Sequence, residues 1–207
     1  MVTPSIAARL KATRSELMIT ELEGTALQLF EQRGFDNVTI EDIASEAQIS
    51  ARTFYRYFAN KEDVFQQLIN RRSAGLQAAL ADRPSDELPM QSLRIAYVGQ
   101  IATEDLTLLR QWIDVVAHTP SVVTAVLGGI QLHSQESIAA FLAARLDMPN
   151  DSVVPTMLAA ATQGIIQATQ TQWYVYGGDL ASMISQSLEI LDQGIGTDPR
   201  TWPTRNT

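Results

Sequence analysis

A chain of 207 residues with 45% apolar and 18% charged residues has material for one large or two small domains around a substantial core. It contains no cysteine, which excludes disulfides and thiolate metal sites and makes a reducing cytoplasm the natural reading. A formal net charge of −8 and a pI near 4.7 argue against polyanion binding over the whole surface, so any contact with nucleic acid has to be local.

The two histidines, His118 and His133, leave a zinc site short of ligands. The opening MVTPSIAARLKATRSE lacks the apolar core of a signal peptide, and no apolar run of about 18 residues suggests a membrane span. Charge is unevenly distributed. Residues 1–75 hold nine basic and ten acidic groups, whereas the remaining 132 residues hold six and thirteen. Two parts with different tasks are expected.

The periodicity predicts helix throughout, with no strand-like alternation and no Asn-Gly or Asp-Gly hairpin signal. A first helix is predicted over Ser15–Arg33, with Ile19, Leu22, Ala26, Leu29 and Phe30 on one face and Gly34 beyond its end. Thr39 and Asp42 form an aspartate version of the capping box for a short helix from Ile40 to Ala47. Ser50 caps a third helix, Ala51–Phe58, and Asn60 caps a long fourth one reaching Ala81. The proline-containing segment DRPSDELPM (82–90) breaks the pattern. Further helices are predicted over Gln91–Thr103, Glu104–His118, Ser121–Leu146, Asp151–Tyr176 and Leu180–Ile195, about nine in all. The fold class is therefore all-α. Residues 1–60 are assigned to a first domain with a flexible arm at 1–13, and 61–196 to a second, with helix 61–81 connecting them; 197–207 is expected to be a disordered tail.

Two short helices joined by a tight turn and braced by a preceding helix make the helix-turn-helix arrangement. A recognition helix enters a major groove about 12 Å wide with phosphates on both walls, where acids would be repelled. The stretch 50–61, SARTFYRYFANK, has none. Phe54 and Phe58, at i and i+4, are expected to enter the core beneath Ile40, Ile43 and Ala44. Ala51, Arg52, Tyr55 and Arg56 then project outward, flanked by Thr53 and Tyr57. Arginine reads guanine bidentately, threonine touches a thymine methyl or a phosphate, and tyrosine hydroxyls suit phosphates. Lys61 and the free N–H groups beside it are placed to meet one phosphate, and Thr39 another on the opposite wall. Taken singly these features are bland, since aromatic runs at helical spacing are ordinarily core and arginines on short helices are ordinarily solvated. The order of caps, helices and turn gives them meaning.

The run GFDNVTIEDIASEAQISARTFYRYFANKEDVF (34–65) resembles the DNA-binding domain of TetR-type (tetracycline-repressor family) transcriptional regulators. The resemblance rests on Thr39, Ile40, Ile43, Ala44, Ala47, Ile49, Ser50, Thr53, Phe54, Tyr55, Tyr57, Phe58 and Lys61, and covers about a quarter of the chain once the first helix is included. It implies DNA contacts from Thr39, Ser50, Ala51, Arg52, Thr53, Tyr55, Tyr57 and Lys61. One departure is Gln48, where the family usually carries glycine in a left-handed turn; a side chain there costs on the order of 1 kcal/mol.

In the acidic remainder, Leu180, Ile184, Leu188, Leu191 and Ile195 form one stripe, and helix 151–176 is apolar nearly all round, with Gly164 permitting close approach. The resemblance implies that one apolar face meets a second copy, which assigns Ile166, Trp173, Leu180, Ile184, Leu188 and Leu191 to a homodimer interface. It also implies a small-molecule pocket, for which Trp112, Val115, His118, Gln135, Gln167 and Thr171 are the candidates. The stretches FLAARLDMPNDS and QWYVYGGDLASMI resemble a subgroup of actinobacterial regulators responding to acyl-CoA or related lipid-like effectors. Asp114 and His118, at i and i+4, read as a surface or cavity-edge pair without a third ligand. The resemblance as a whole implies a ligand-responsive dimeric repressor on a palindromic operator, with no cofactor. The alternatives are a helical small-molecule enzyme, for which no nucleophile or acid–base constellation is in view, and an adaptor without DNA binding, which Thr39, Tyr57 and Lys61 argue against.

Overall fold

The computed structural model describes residues 5–122 and 128–194. All regular structure among them is helical: α1 (Ile6–Arg33), a 3-10 turn (Phe35–Asn37), α2 (Ile40–Glu46), α3 (Ala51–Phe54), α4 (Asp63–Ala81), α5 (Pro89–Ala102), α6 (Leu106–His118), the three-residue α7 (Pro120–Val122), α8 (Gly128–Leu146), α9 (Val153–Tyr176) and α10 (Leu180–Gln193). Several starts have a local cause. Pro89 opens α5, where its missing N–H costs nothing. Asp105 accepts from Thr107 N and Leu108 N at the head of α6, and Asp179 from Ala181 N at the head of α10.

Helix α1 starts nine residues before the expected Ser15, so residues 6–13 are helical and not a loose arm. The segment Ala7–Arg14 consists mostly of strong helix formers with no glycine or proline, and nothing in it ends the helix. The expected helix Ser121–Leu146 is found over Gly128–Leu146, with residues 123–127 outside the description. Ile195 and the tail 197–207 also lie outside the described residues.

The chain divides into two compact units. The first combines residues up to Arg72 with Asp105–Ile130, so α6 packs with the N-terminal helices. Its core contains Leu22, Leu27, Phe30, Phe35, Ile43, Phe54, Phe58, Phe65, Val115 and Val116. Phe30 stacks on Phe65 at 5.6 Å between centroids and meets Phe35 edge-on at 4.9 Å. Glu23 of α1 is fully buried in this unit and is held by Arg71 of α4, with Arg71 Nη1 donating to Glu23 Oε1 at 3.2 Å and Nη2 to Oε2. Burial pushes the Glu23 carboxyl above its usual range, against the pull of the guanidinium.

The second unit combines Ser73–Glu104 with the residues from Gln131 onward. Helix α10 packs on α5 and α9, burying Leu180, Ile184 and Leu188 with Leu93, Tyr97, Ile166 and Trp173. Trp173 Nε1 donates to Gly178 O at 3.2 Å, and Thr169 Oγ1 pairs with Ser187 Oγ at 2.9 Å. The loop between α4 and α5 is clasped from α8, where Arg145 donates to Pro84 O at 2.5 Å and Arg83 O at 3.0 Å. Within that loop Arg83 grips Glu87 through two bonds of 2.6 and 2.7 Å, and Ser92 Oγ donates to the same carboxylate at 2.7 Å.

The Arg83 guanidinium, the Ser92 hydroxyl and nearby Arg145 hold Glu87 down at about 2 from an ordinary 4.5. A carboxylate depressed by folding stabilises the protein above its unfolded pKa, and that contribution is lost as pH falls through the folded value. Glu87→Gln should therefore lose less stability than wild type as pH is lowered from about 4.5 to about 2, read by thermal melts across that window. Superimposable acid profiles would contradict the assignment.

Candidate nucleic-acid interface

The site is built on two caps and a turn. Thr39 Oγ1 accepts from Asp42 N at 3.1 Å while Asp42 Oδ2 accepts from Thr39 N at 2.9 Å, completing the capping box at the head of α2. The threonine hydroxyl also donates to Asp42 Oδ2 at 2.5 Å, and these bonds hold the Asp42 carboxyl below its usual range. At the other end of α2, Ile49 N reaches Ala44 O at 2.8 Å and Gln48 N reaches Ser45 O at 3.1 Å, a complete Schellman motif. Gln48 sits at its left-handed position with φ 55°, as the departure from glycine anticipates. Ser50 Oγ then accepts from Thr53 N at 3.1 Å and caps α3.

Helix α3 has four residues, not the eight expected. Past Phe54 the backbone tightens, with Arg56 N bonding Thr53 O at 3.2 Å and Tyr57 N bonding Phe54 O at 2.8 Å. The Tyr57 carbonyl is taken by a side chain of α4, Gln67 Nε2, at 2.6 Å, and the chain turns so that Phe58 enters the core. Asp63 completes the corner. Its N–H donates to Asn60 Oδ1 at 2.8 Å and its carboxylate accepts from Ala59 N at 2.9 Å. Helix α4 consequently opens at Asp63, with Asn60 still capping it from three residues away.

These constraints leave Arg52, Tyr55 and Arg56 exposed, Ala51, Thr53 and Tyr57 half-buried, and Thr39 and Ser50 exposed at the caps. Phe54 and Phe58, 5.2 Å apart between centroids, lie underneath. Arg56 lies over the Tyr57 ring at 4.7 Å and donates to its hydroxyl at 2.6 Å, which leaves further guanidinium donors facing outward. Gln67 was not among the expected residues. The only signal for it is its position four residues after Asp63, whose carboxylate it also contacts at 3.2 Å.

Lys61 is placed differently from expectation. Its ammonium is half-buried and donates to Phe35 O at 2.7 Å and Val38 O at 3.1 Å, 4.2 Å from the centre of the Phe35 ring. It ties the 3-10 turn to the corner before α4. The carbonyls it serves lie more than twenty residues back in sequence, which spacing within its own segment cannot show. Two of its three N–H groups are engaged in this way.

Of the expected pocket residues, Trp112, Val115 and His118 lie in the first unit and Gln135, Gln167 and Thr171 in the second. Val115 is core beneath α1, His118 is an exposed side chain whose Nδ1 meets Asp114 O at 2.8 Å, and Gln167 and Thr171 are exposed on α9. Trp112 packs on the core with its indole Nε1 buried and without a hydrogen-bond partner. His133 lies outside the described side chains. Of the residues expected at a dimer interface, Ile166, Trp173, Leu180, Ile184 and Leu188 are buried within the chain's own second unit and Leu191 is half-exposed. The outward face of α9 carries Val153, Met157 and Val175. Among the described residues no group of three or more His, Asp or Glu could hold a metal ion, and no helix is long and apolar enough to cross a membrane.

Residues 24–68 match a family model described as bacterial regulatory proteins, tetR family, and residues 87–196 match one described as MftR C-terminal domain. The chain is 28% identical over 177 residues to the HTH-type transcriptional regulator TcmR of Streptomyces glaucescens, spanning 81% of this chain and 75% of TcmR. Among solved structures it is similar to SmeT in complex with triclosan (TM-score 0.65, 18% identity, 90% of this chain and 97% of that one). It is also similar to Thermus thermophilus FadR in complex with lauroyl-CoA (TM-score 0.53, 22% identity, 90% and 100%). At these identities the two structures speak for the fold.

The tethering of Lys61 gives a measurable consequence. Lys61→Met should lower folding stability by about 1–3 kcal/mol, because two buried carbonyls lose a charged donor, with chemical denaturation as the readout. An unchanged midpoint would return Lys61 to a purely surface role.

Proposed function

Because the chain belongs to the TetR family of bacterial transcriptional regulators, we propose that it is a ligand-responsive homodimeric repressor of a two-fold symmetric DNA operator. The observation that carries this reading is the surface of α3 and its turn. Arg52, Tyr55 and Arg56 stand exposed on a segment with no acid between Ser50 and Lys61, in a chain of net charge −8. In this reading Arg52 and Arg56 read base edges, with Ala51 and Thr53 against thymine methyls or sugar-phosphate. Thr39, Ser50, Tyr55, Tyr57 and the spare N–H of Lys61 hold phosphates. TcmR is named as a transcriptional regulator, and the FadR structure is described as that of a repressor, which agrees with this role and not with an enzymatic one.

A dimer follows from the geometry of DNA, since paired recognition helices about 34 Å apart reach successive major grooves on one side of the duplex. The face that we assign to it is the outer stripe of α9, Val153, Met157, Gly164, Ala168 and Val175, which the chain itself leaves uncovered. The effector is a small, largely apolar molecule, and an acyl-CoA-like compound is the class that the FadR complex with lauroyl-CoA supports. It would act by favouring a conformer whose recognition helices leave the 34 Å spacing. Near-complete release requires a preference of about 5 kcal/mol for that conformer. A cytoplasmic location accompanies this function.

Selection from a randomised duplex library at about 150 mM salt should enrich a palindrome, since non-specific phosphate binding is suppressed there. Arg52→Ala should then lose roughly 1–3 kcal/mol of discrimination at one position of each half-site. Intact affinity and preference would move the reading face elsewhere. The dimer face has its own test. A side chain added at Gly164 meets nothing within 4 Å in its own chain, so Gly164→Arg should leave the single-chain fold at least as stable while blocking the second copy. Sedimentation should show a monomer; an undisturbed dimer would refute this face.

A further inference from the structure

The reading surface is held from behind by α4, and α4 is held by α1 at two places. Phe30 stacks on Phe65 at 5.6 Å, and seven residues earlier on α1 and six later on α4 Glu23 meets Arg71. The two helices therefore run antiparallel with an aromatic contact near the corner and a charged one farther along. An aromatic stack resists separation but permits sliding and roll. A bidentate carboxylate–guanidinium pair fixes both, because its two parallel bonds demand one orientation.

Arg71 lies four residues after Gln67, on the same face of α4. Gln67 is the residue that takes the Tyr57 carbonyl at 2.6 Å and steadies Asp63, whose carboxylate holds Ala59 N. A continuous line of contacts thus runs from Glu23 through Arg71, along one turn of α4 to Gln67, and into the end of the recognition segment. Rolling α4 on α1 would pull Gln67 away from Tyr57 and change the aim of Arg56 and Tyr57.

The energetics of the pair point to placement as its task. Glu23 is fully buried, whereas the Arg71 side chain is 45% exposed, so the desolvation cost falls on the carboxylate and is only partly returned. Apolar residues of similar volume commonly stabilise a core as well as such a pair does or better. What they cannot do is fix the roll of one helix on its neighbour.

From this juxtaposition we propose that Glu23 and Arg71 are positioning residues for operator recognition, holding α4 in the one orientation that aims the recognition segment. The proposal rests on the DNA-reading role given above. It predicts that stability and binding move apart when the pair is replaced by apolar residues. The full-length double variant Glu23→Leu/Arg71→Met should melt at or above the wild-type temperature yet bind the enriched palindrome roughly tenfold more weakly. Glu23→Gln keeps one acceptor oxygen but sets an NH2 group against the guanidinium, so one of the two parallel bonds is lost and binding should weaken, by less than in the double variant. A double variant that binds like wild type overturns the proposal. One that fails to fold, or whose melting temperature falls with its affinity, also overturns it, since the pair would then be ordinary core. A wild-type protein that enriches no palindrome ends the DNA-reading role at an earlier and separate step.

Discussion

A helix of four residues cannot hold itself together in water, because nucleation fixes three residues for a single hydrogen bond. Helix α3 is such a helix, and everything proposed for this protein depends on its being held nonetheless. Its support comes from outside. Ser50 satisfies its first turn, Phe54 anchors it from beneath, and Gln67 takes the Tyr57 carbonyl in the turn just beyond it. The aromatic core of Phe30, Phe35, Phe54, Phe58 and Phe65 is the floor on which these bonds are laid, and a side chain on that floor has no freedom to drift. The exposed Arg52, Tyr55 and Arg56 thereby start from a fixed base although their own segment is too short to supply one. A ligand-reading surface needs such preorganisation, since every degree of freedom left open is charged against affinity.

The parts of this arrangement that depend on neighbours a few residues apart are legible in the sequence. Thr39 and Asp42, Ser50 and Thr53, and the strain at Gln48 are all settled within one turn, and the structure has them where spacing puts them. Phe54 and Phe58 point inward because an i and i+4 pair has one common side. The length of α3 was not legible. Past Phe54 the bonds tighten to three-residue spacing, and the turn is held by Gln67, ten residues on from Tyr57 and across a corner, which takes the Tyr57 carbonyl.

Residues whose partners are distant resist such reading most. Lys61 looks like a free cation at the head of a helix until the carbonyls of Phe35 and Val38 are brought beside it. The apolar stripes of α9 and α10 show the same limit. Periodicity identifies which side of a helix avoids water, but not what covers it. Leu180, Ile184 and Leu188 turn out to be covered by α5 and α9, while Val153, Met157 and Val175 remain open. Val115 likewise closes the core under α1. An acid in the middle of α1 gives no hint in sequence that it is buried, because its partner lies forty-eight residues away.

The turn at Gln48 has a consequence for how kin of this chain are to be found. Its geometry is carried by two backbone bonds, from Ile49 N and Gln48 N, and by a φ of 55°, while the glutamine side chain itself is exposed. The residue type at this place records only how much torsional strain the rest of the domain can absorb, on the order of 1 kcal/mol. A signature demanding glycine there would pass over proteins with an identical backbone. A substitution at this corner acts through torsional strain and leaves the exposed side chains of α3 as they are.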